Sequence, residues 1–227
     1  MEHDSFEYKG YQVNIETDED PMNPRTEFDN LGTMICFHNR YSLGDEHSYK
    51  NPEDFIYDKA TEYFNSETIE NDYQELTTEE FIDKYLEKPE KHLIILPLYL
   101  YDHSGITMNT TGFSCPWDSG QVGWIYVTKE DAKKEWGVKK ISPKLRQRIV
   151  NNLVGEVETY DQYLRGEVYG FRIKDEDGEE IDSCWGYFGD PEEYMIPEIK
   201  AQIDFHAEMQ EEIMAKQLNF QENVMSA

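Results

Sequence analysis

No apolar run in this chain approaches the length of a membrane span. The longest, LIILPLYLY (Leu93 to Tyr101), covers about half of one and carries Pro97. The opening MEHDSFEYKGYQ has neither a basic n-region nor an apolar h-region, so no secretory signal is expected there. Cysteine is scarce. Cys36, Cys115 and Cys184 are an odd number at wide spacing, which excludes a disulfide framework and favours a reducing compartment. Positive charge is the largest shortage. Lys and Arg number 21 against 48 Asp and Glu, a net charge of −27. Direct binding of nucleic acid needs cations on phosphates, so it is not expected, and neither is an anionic membrane surface. The chain also lacks internal repeats and any complete catalytic motif. A cytoplasmic location, with no cofactor and no metal, is the expectation.

Enough apolar mass remains for a core. Leu, Ile, Val and Phe make up 49 of 227 residues, and 16 Tyr and four Trp add to them. That lies just above the roughly 20% level at which highly charged chains stay disordered. The four Trp read most simply as core and core-edge packing. The charge is uneven along the chain: residues 1–90 carry −17, residues 91–150 carry +4, and residues 151–227 carry −14. The middle third is therefore expected to supply the sheet centre. Its basic run Lys129–Arg148 is expected to pair with the acidic flanks or with a second copy.

Periodicity gives a coarse plan. Alternation predicts strands at Tyr8–Ile15 and Leu31–His38, and unbroken apolar runs predict buried strands at His92–Tyr101 and Gln121–Thr128. Helices are expected at Pro52–Asn65 and Thr78–Lys88, where Pro at the first turn and early acids suit a helix start. Ser142-Pro143 opens a long helix whose stripe is Leu145, Ile149, Leu153, Val157, Tyr160 and Leu164, stopped at Gly166. A hairpin follows, with Asp177-Gly178 in its turn. Pro197 begins a last helix, to about Leu218, with a narrow apolar stripe. The fold class expected is α+β. It comprises a mixed, mostly antiparallel sheet of about five or six strands, helices on one side, and an appended C-terminal helix. One domain is drawn over 1–190, with an acidic helical insert at about 51–90, and a peripheral helix and tail over 191–227.

Three stretches together, LGTMICFHNRYSLGD (Leu31–Asp45), LPLYLYDHSGITMNTTGFSCPWDSGQVGWIYVTKE (Leu96–Glu130) and GEEIDSCWGYFG (Gly178–Gly189), resemble a family of accessory proteins carried by bacteriophages and mobile elements, mostly of Gram-positive hosts. The resemblance spans roughly residues 8–189. It implies no catalytic residues. It implies a context in which small acidic proteins serve as counter-defence factors against restriction or CRISPR enzymes.

Two functional readings follow. In the first, the acids form a surface that a positively lined groove accepts in place of nucleic acid. Twenty-seven charges correspond to roughly 46 Å of duplex. The candidate partner-binding residues are Asp18, Glu19, Asp20, Asp45, Glu46, Glu53, Asp54, Asp58 and Glu62, with a second cluster at Asp175, Glu176, Asp177, Glu179 and Glu180. The partner would be a bacterial defence protein with a basic nucleic-acid cleft, and the final helix offers a homodimer face. In the second, the 18-residue stretch from Asp102 to Ser119 houses chemistry. His103, Cys115 and Asp118 are the inventory of an activated thiolate or a redox site. Loops of that length are otherwise functional or hide a short strand such as Ile106–Asn109.

Overall fold

A computed structural model describes residues 2–87 and 92–225. Along the chain run β1 (Glu2–Tyr8), β2 (Tyr11–Thr17), α1 (Pro24–Glu27), β3 (Thr33–Cys36), α2 (Pro52–Thr61), α3 (Ser66–Glu75) and α4 (Thr78–Ile82), which continues as a π-helical turn (Asp83–Glu87). Then come β4 (Leu93–Asp102), β5 (Ile106–Asn109), β6 (Ser119–Thr128), α5 (Lys129–Glu135), α6 (Pro143–Arg165), β7 (Val168–Lys174), β8 (Glu180–Phe188) and α7 (Met195–Met225). The fold is α+β, its strand pairs are antiparallel, and it ends on a long helix. The described strands form two sheets of four rather than one of five or six. By internal contacts the chain divides into two compact units, Met1–Met22 with Gly166–Ala227, and Asn23–Arg165. Among the described residues no helix is long and apolar enough to cross a membrane.

In the larger unit the sheet order is β3-β6-β4-β5. Its middle strands are apolar at consecutive positions, and Val122 through Val127 are all buried. A strand with two apolar faces needs cover on both. Ile94, Leu98, Ile125 and Val127 meet Ile149, Leu153, Val157 and Tyr160 of α6. The alternate residues Leu93, Ile95, Trp124 and Tyr126 meet Phe55, Ile56, Ile69, Phe81 and Leu86 from α2, α3, α4 and the π turn. The sheet is therefore sandwiched, and the expectation of helices on one side is corrected by the period-one burial of β4 and β6. Each of the fully buried aliphatic or Phe side chains contributes about 1.5–3 kcal/mol. Pro97 is tolerated within β4 because β5 pairs only with Tyr99–Asp102, leaving one edge of β4 open at Pro97. Gly123 permits the closest backbone approach: a Cβ there would lie 1.9 Å from the Ile35 carbonyl oxygen.

The smaller unit is a β1-β2-β7-β8 sheet. Lys9 and Gly10, both at positive φ, make the two-residue turn between β1 and β2. Val13, Ile15, Phe171 and Ile173 pack against Met195, Ile199 and Ile203 of α7. The first turns of α7 are thus core, and only its later part is peripheral. There Phe205, Met209, Ile213, Met214 and Leu218 are exposed.

Candidate partner-binding surface

The acidic segment after Asn51 forms a helical layer on the sheet. Asn51 caps α2 through the Asp54 N–H, Asn65 caps α3 through the Glu67 N–H, and Thr77 with Glu80 forms a reciprocal capping box on α4. The Glu80 carboxyl is held below its usual range by the bonds it accepts from Thr77. Apolar residues turn inward, so the charges must face out. From Pro52 to Glu87 the layer holds twelve acids and two bases.

Both bases are engaged within the layer. Lys59 bonds Glu62 at 2.6 Å. Burial opposes its charge, but Glu62, Tyr126 and Tyr49 outweigh that and raise its pKa. Lys84 pairs with Asp72, which also accepts from the Tyr85 hydroxyl. Those bonds hold the Asp72 carboxyl below its ordinary value. Glu53, Asp54, Asp58 and Glu62 lie exposed along α2 and its cap. They occupy about 14 Å of helix at a mean spacing of ~4.5 Å, somewhat wider than the ~3.4 Å axial charge spacing of one DNA strand.

Beside them is a groove of about 720 Å³ lined by Asp54, Asp58 and Glu70 with Tyr49, Tyr57 and Tyr73, and by one base, Lys50, against these three acids. The Tyr49 hydroxyl donates to Asp58 at 3.1 Å and the Tyr57 hydroxyl to Glu70 at 2.9 Å. Tyr57 and Tyr73 meet edge to face, with centroids 4.8 Å apart. Carboxylates beside aromatic faces suit an arginine or lysine side chain.

The other expected acids are dispersed. Asp45 is not a surface group. Its carboxylate takes two 2.8 Å bonds from Arg25 and one from the Met34 N–H. Arg25 is only 7% exposed and also bonds Glu156 at 2.9 Å, so Asp45 belongs to a buried clamp. Its neighbour Glu46 is exposed. Asp18, Glu19 and Asp20 follow β2, with Asp18 N–H donating to the Val168 carbonyl at 2.8 Å. The Asp175–Glu180 turn lies at the opposite end of the same sheet, since Gln12 pairs with Lys174 and Thr17 with Tyr169. The two clusters are therefore separated by about 17 Å of strand. In the turn, Asp175 accepts the Asp177 and Glu179 N–H groups, and Glu180 pairs with Arg172 at 3.0 Å. Glu176, Asp177 and Glu179 remain exposed.

The Asp102–Ser119 stretch does contain the strand Ile106–Asn109. It also gathers the three residues of the catalytic alternative. Asp118 Oδ2 lies 3.5 Å from His103 Nδ1 and 3.7 Å from Cys115 Sγ. The carboxylate stands between imidazole and thiol, so the thiol faces an anion where an activated thiolate needs a cation or a base. Asp102 turns elsewhere, to Arg40 and Tyr41. Trp117 is 91% exposed and departs from the expected packing role, whereas Trp124 and Trp136 pack in the core and at its margin, and Trp185, 38% exposed, covers Gly170 of the neighbouring strand. Among the described residues no three His, Cys, Asp or Glu side chains are placed to hold a metal ion.

Cys36 is buried, and burial, with the nearby Asp45 carboxylate, pushes its thiol up to about 12. The folded protein is expected to leave Cys36 unmodified by iodoacetamide near pH 8 while exposed Cys184 reacts. Peptide mapping by mass spectrometry checks this. Modification of Cys36 at the rate of Cys184 would contradict its burial.

Sequence reasoning missed three features of this surface: the tyrosines of the groove, the separate helix α3, and Arg25. The signal for α3 was present in Asn65 followed by Ser66 and Glu67, a helix start that a continuous helix to Asn65 absorbed. No family model, no curated protein and no solved structure matches the chain.

Proposed function

We propose that this chain is a non-catalytic acidic inhibitor that occupies the basic, nucleic-acid-binding surface of a bacterial anti-phage nuclease or complex, in the manner of anti-CRISPR and anti-restriction proteins. The observation that carries the reading is the helical layer of Pro52–Glu87, whose two cations are spent on its own carboxylates. What it offers a partner is a nearly uniform negative field. Such a field draws a basic cleft from a distance and raises the association rate. The tyrosine-lined groove adds short-range contacts for a cationic side chain. The bacteriophage and mobile-element context, and a homodimer through the exposed stripe of α7, belong to the same reading. The thiol-carboxylate contact at Cys115 favours a folded loop over a reactive one.

Affinity capture from a bacterial lysate, at about 50 mM and about 500 mM salt, tests it. The expected result is a nucleic-acid-handling protein retained at low salt, released at high salt, and displaced by excess duplex DNA. Capture that ignores both salt and DNA would overturn the proposal.

A further inference from the structure

The larger unit also holds a cavity of opposite character. It measures about 820 Å³ and is lined by Lys129, Lys133, Lys139, Lys140 and Arg146, with Ile141 and Pro143 as the accessible apolar wall. Among the described residues, five of the seven charged ones lining it are basic, the others being Asp83 and Glu87. The chain-wide ratio of 21 bases to 48 acids would place roughly two there. The concentration comes from local structure. α5 ends in a turn at Gly137, whose φ is 61°. The short connection Val138–Ser142 then returns the chain to the start of α6, bringing lysines from both sides of that turn to one cavity.

The expected internal pairing of this basic run is only partly made. Arg146 bonds Glu87 at 3.0 Å, and Lys133 lies 4.0 Å from Glu130. Among the described residues Lys139 and Lys140 form no ion pair. Ser142 and Pro143 at the cavity wall open a helix of 23 residues, and the Ser142 hydroxyl caps it by accepting the Leu145 N–H at 3.2 Å. The positive end of that helix adds to the lysine field. Keeping unpaired lysines together costs repulsion, which an anion removes.

We propose that this cavity binds a small phosphorylated organic molecule of nucleotide size, its phosphates on Lys139, Lys140 and the start of α6, and its apolar part against Ile141 and Pro143. The volume suits such a ligand, since small-molecule sites span about 300–1,000 Å³. Asp83 and Glu87 end the acidic layer and also line the basic cavity, so the two sites adjoin within one unit, while α2 and the tyrosine groove contribute nothing to the cavity's lining.

The test is calorimetric titration of the whole chain at low ionic strength with ATP free of divalent metal, with pyrophosphate, and with adenosine. ATP is expected to bind most tightly, pyrophosphate more weakly, and adenosine least. The double variant Lys139→Glu/Lys140→Glu is expected to weaken ATP binding by at least about tenfold. Lys200→Glu/Lys216→Glu, which changes net charge equally from α7 in the other unit, is expected to leave it within about twofold. Circular dichroism confirms that both variants fold, and Lys139→Ala/Lys140→Ala repeats the comparison if the reversed charges disturb the turn. Absence of ATP binding, or equal weakening by the two double variants, would overturn the site. Pyrophosphate binding as tightly as ATP would overturn the assignment of Ile141 and Pro143.

Discussion

Replacing Arg25 by Met is expected to destabilise the larger unit by about 3–5 kcal/mol, read as a fall in the urea midpoint at unchanged slope. Against a domain stability of about 5–15 kcal/mol, that is about a fifth of the total or more. The guanidinium makes four bonds. Two go to Asp45, one to Glu156 at 2.9 Å, and one to the Gly32 carbonyl at 2.7 Å. Removing it leaves two largely buried carboxylates and a buried carbonyl without their cation. Those carboxylates also hold backbone: Asp45 accepts from the Met34 N–H, and Glu156 accepts from Leu31 and Gly32. The clamp therefore ties the Leu31–Asp45 segment to α6, and its loss loosens the seating of β3. Burial opposes the charge of Arg25, but Asp45 and Glu156 outweigh it and raise the pKa above the ordinary arginine range. A group raised in this way contributes fully at any pH below its unfolded value, so the loss should be constant from mildly acidic to mildly basic solution. Arg25→Lys should recover only part of it, because one ammonium cannot reproduce a planar fork. Adding Asp45→Asn and Glu156→Gln to Arg25→Met should recover part as well, since both amides keep an acceptor oxygen. A loss below about 1 kcal/mol would mean that water already screens the cluster.

This clamp marks the boundary of what the chain discloses before it folds. Local signals were sufficient where one element carries its own pattern. The stripe Ile149–Leu153–Val157–Tyr160 is buried as the 3.6 period requires, and Asp177-Gly178 does turn between β7 and β8, with Gly178 at φ 81°. The apolar runs of β4 and β6 read plainly as strands, and their unbroken character also requires cover on two faces. β1 was not recognised because EHDSFEY lacks alternation; its partner and the Lys9-Gly10 turn make it a strand. Asp45 could not be separated from Glu46 by any local rule. What distinguishes them is Arg25, twenty residues earlier, and Glu156, more than a hundred later. Composition reports how many carboxylates exist, but only tertiary structure decides which are spent. The same limit applies to the loop residues. His103, Cys115 and Asp118 lie near one another, with the carboxylate between imidazole and thiol, an order of contact that their spacing in the chain does not disclose.

Neutralising the α2 acids as a set, with Glu53→Gln, Asp54→Asn, Asp58→Asn and Glu62→Gln, is expected to reduce affinity for the basic partner by about a hundredfold at low salt. Exposed interfacial charges are worth about 0.5–1 kcal/mol each, so four sum to roughly 2–4 kcal/mol. Most of the loss should appear in the association rate, and wild type and variant should converge as salt rises. Glu62→Gln acts twice, because it removes an anion and releases Lys59 from its 2.6 Å bond. Glu53 and Asp54 also favour the helix start, so the set should cost some stability, about 0.3–1 kcal/mol for each of those two. Unfolding curves measure that share separately. A second set, Glu176→Gln, Asp177→Asn and Glu179→Gln, removes three charges from the turn of the smaller unit. If overall charge alone attracts the partner, the two sets should weaken binding in proportion to the charges removed. If the partner docks on the helical layer, the turn set should cost less than about fivefold while the α2 set keeps its full effect. Parallel losses would therefore reject a patterned surface and leave only a polyanion that any basic protein attracts. Unequal losses would localise the docking face to the layer in which every cation is already paired.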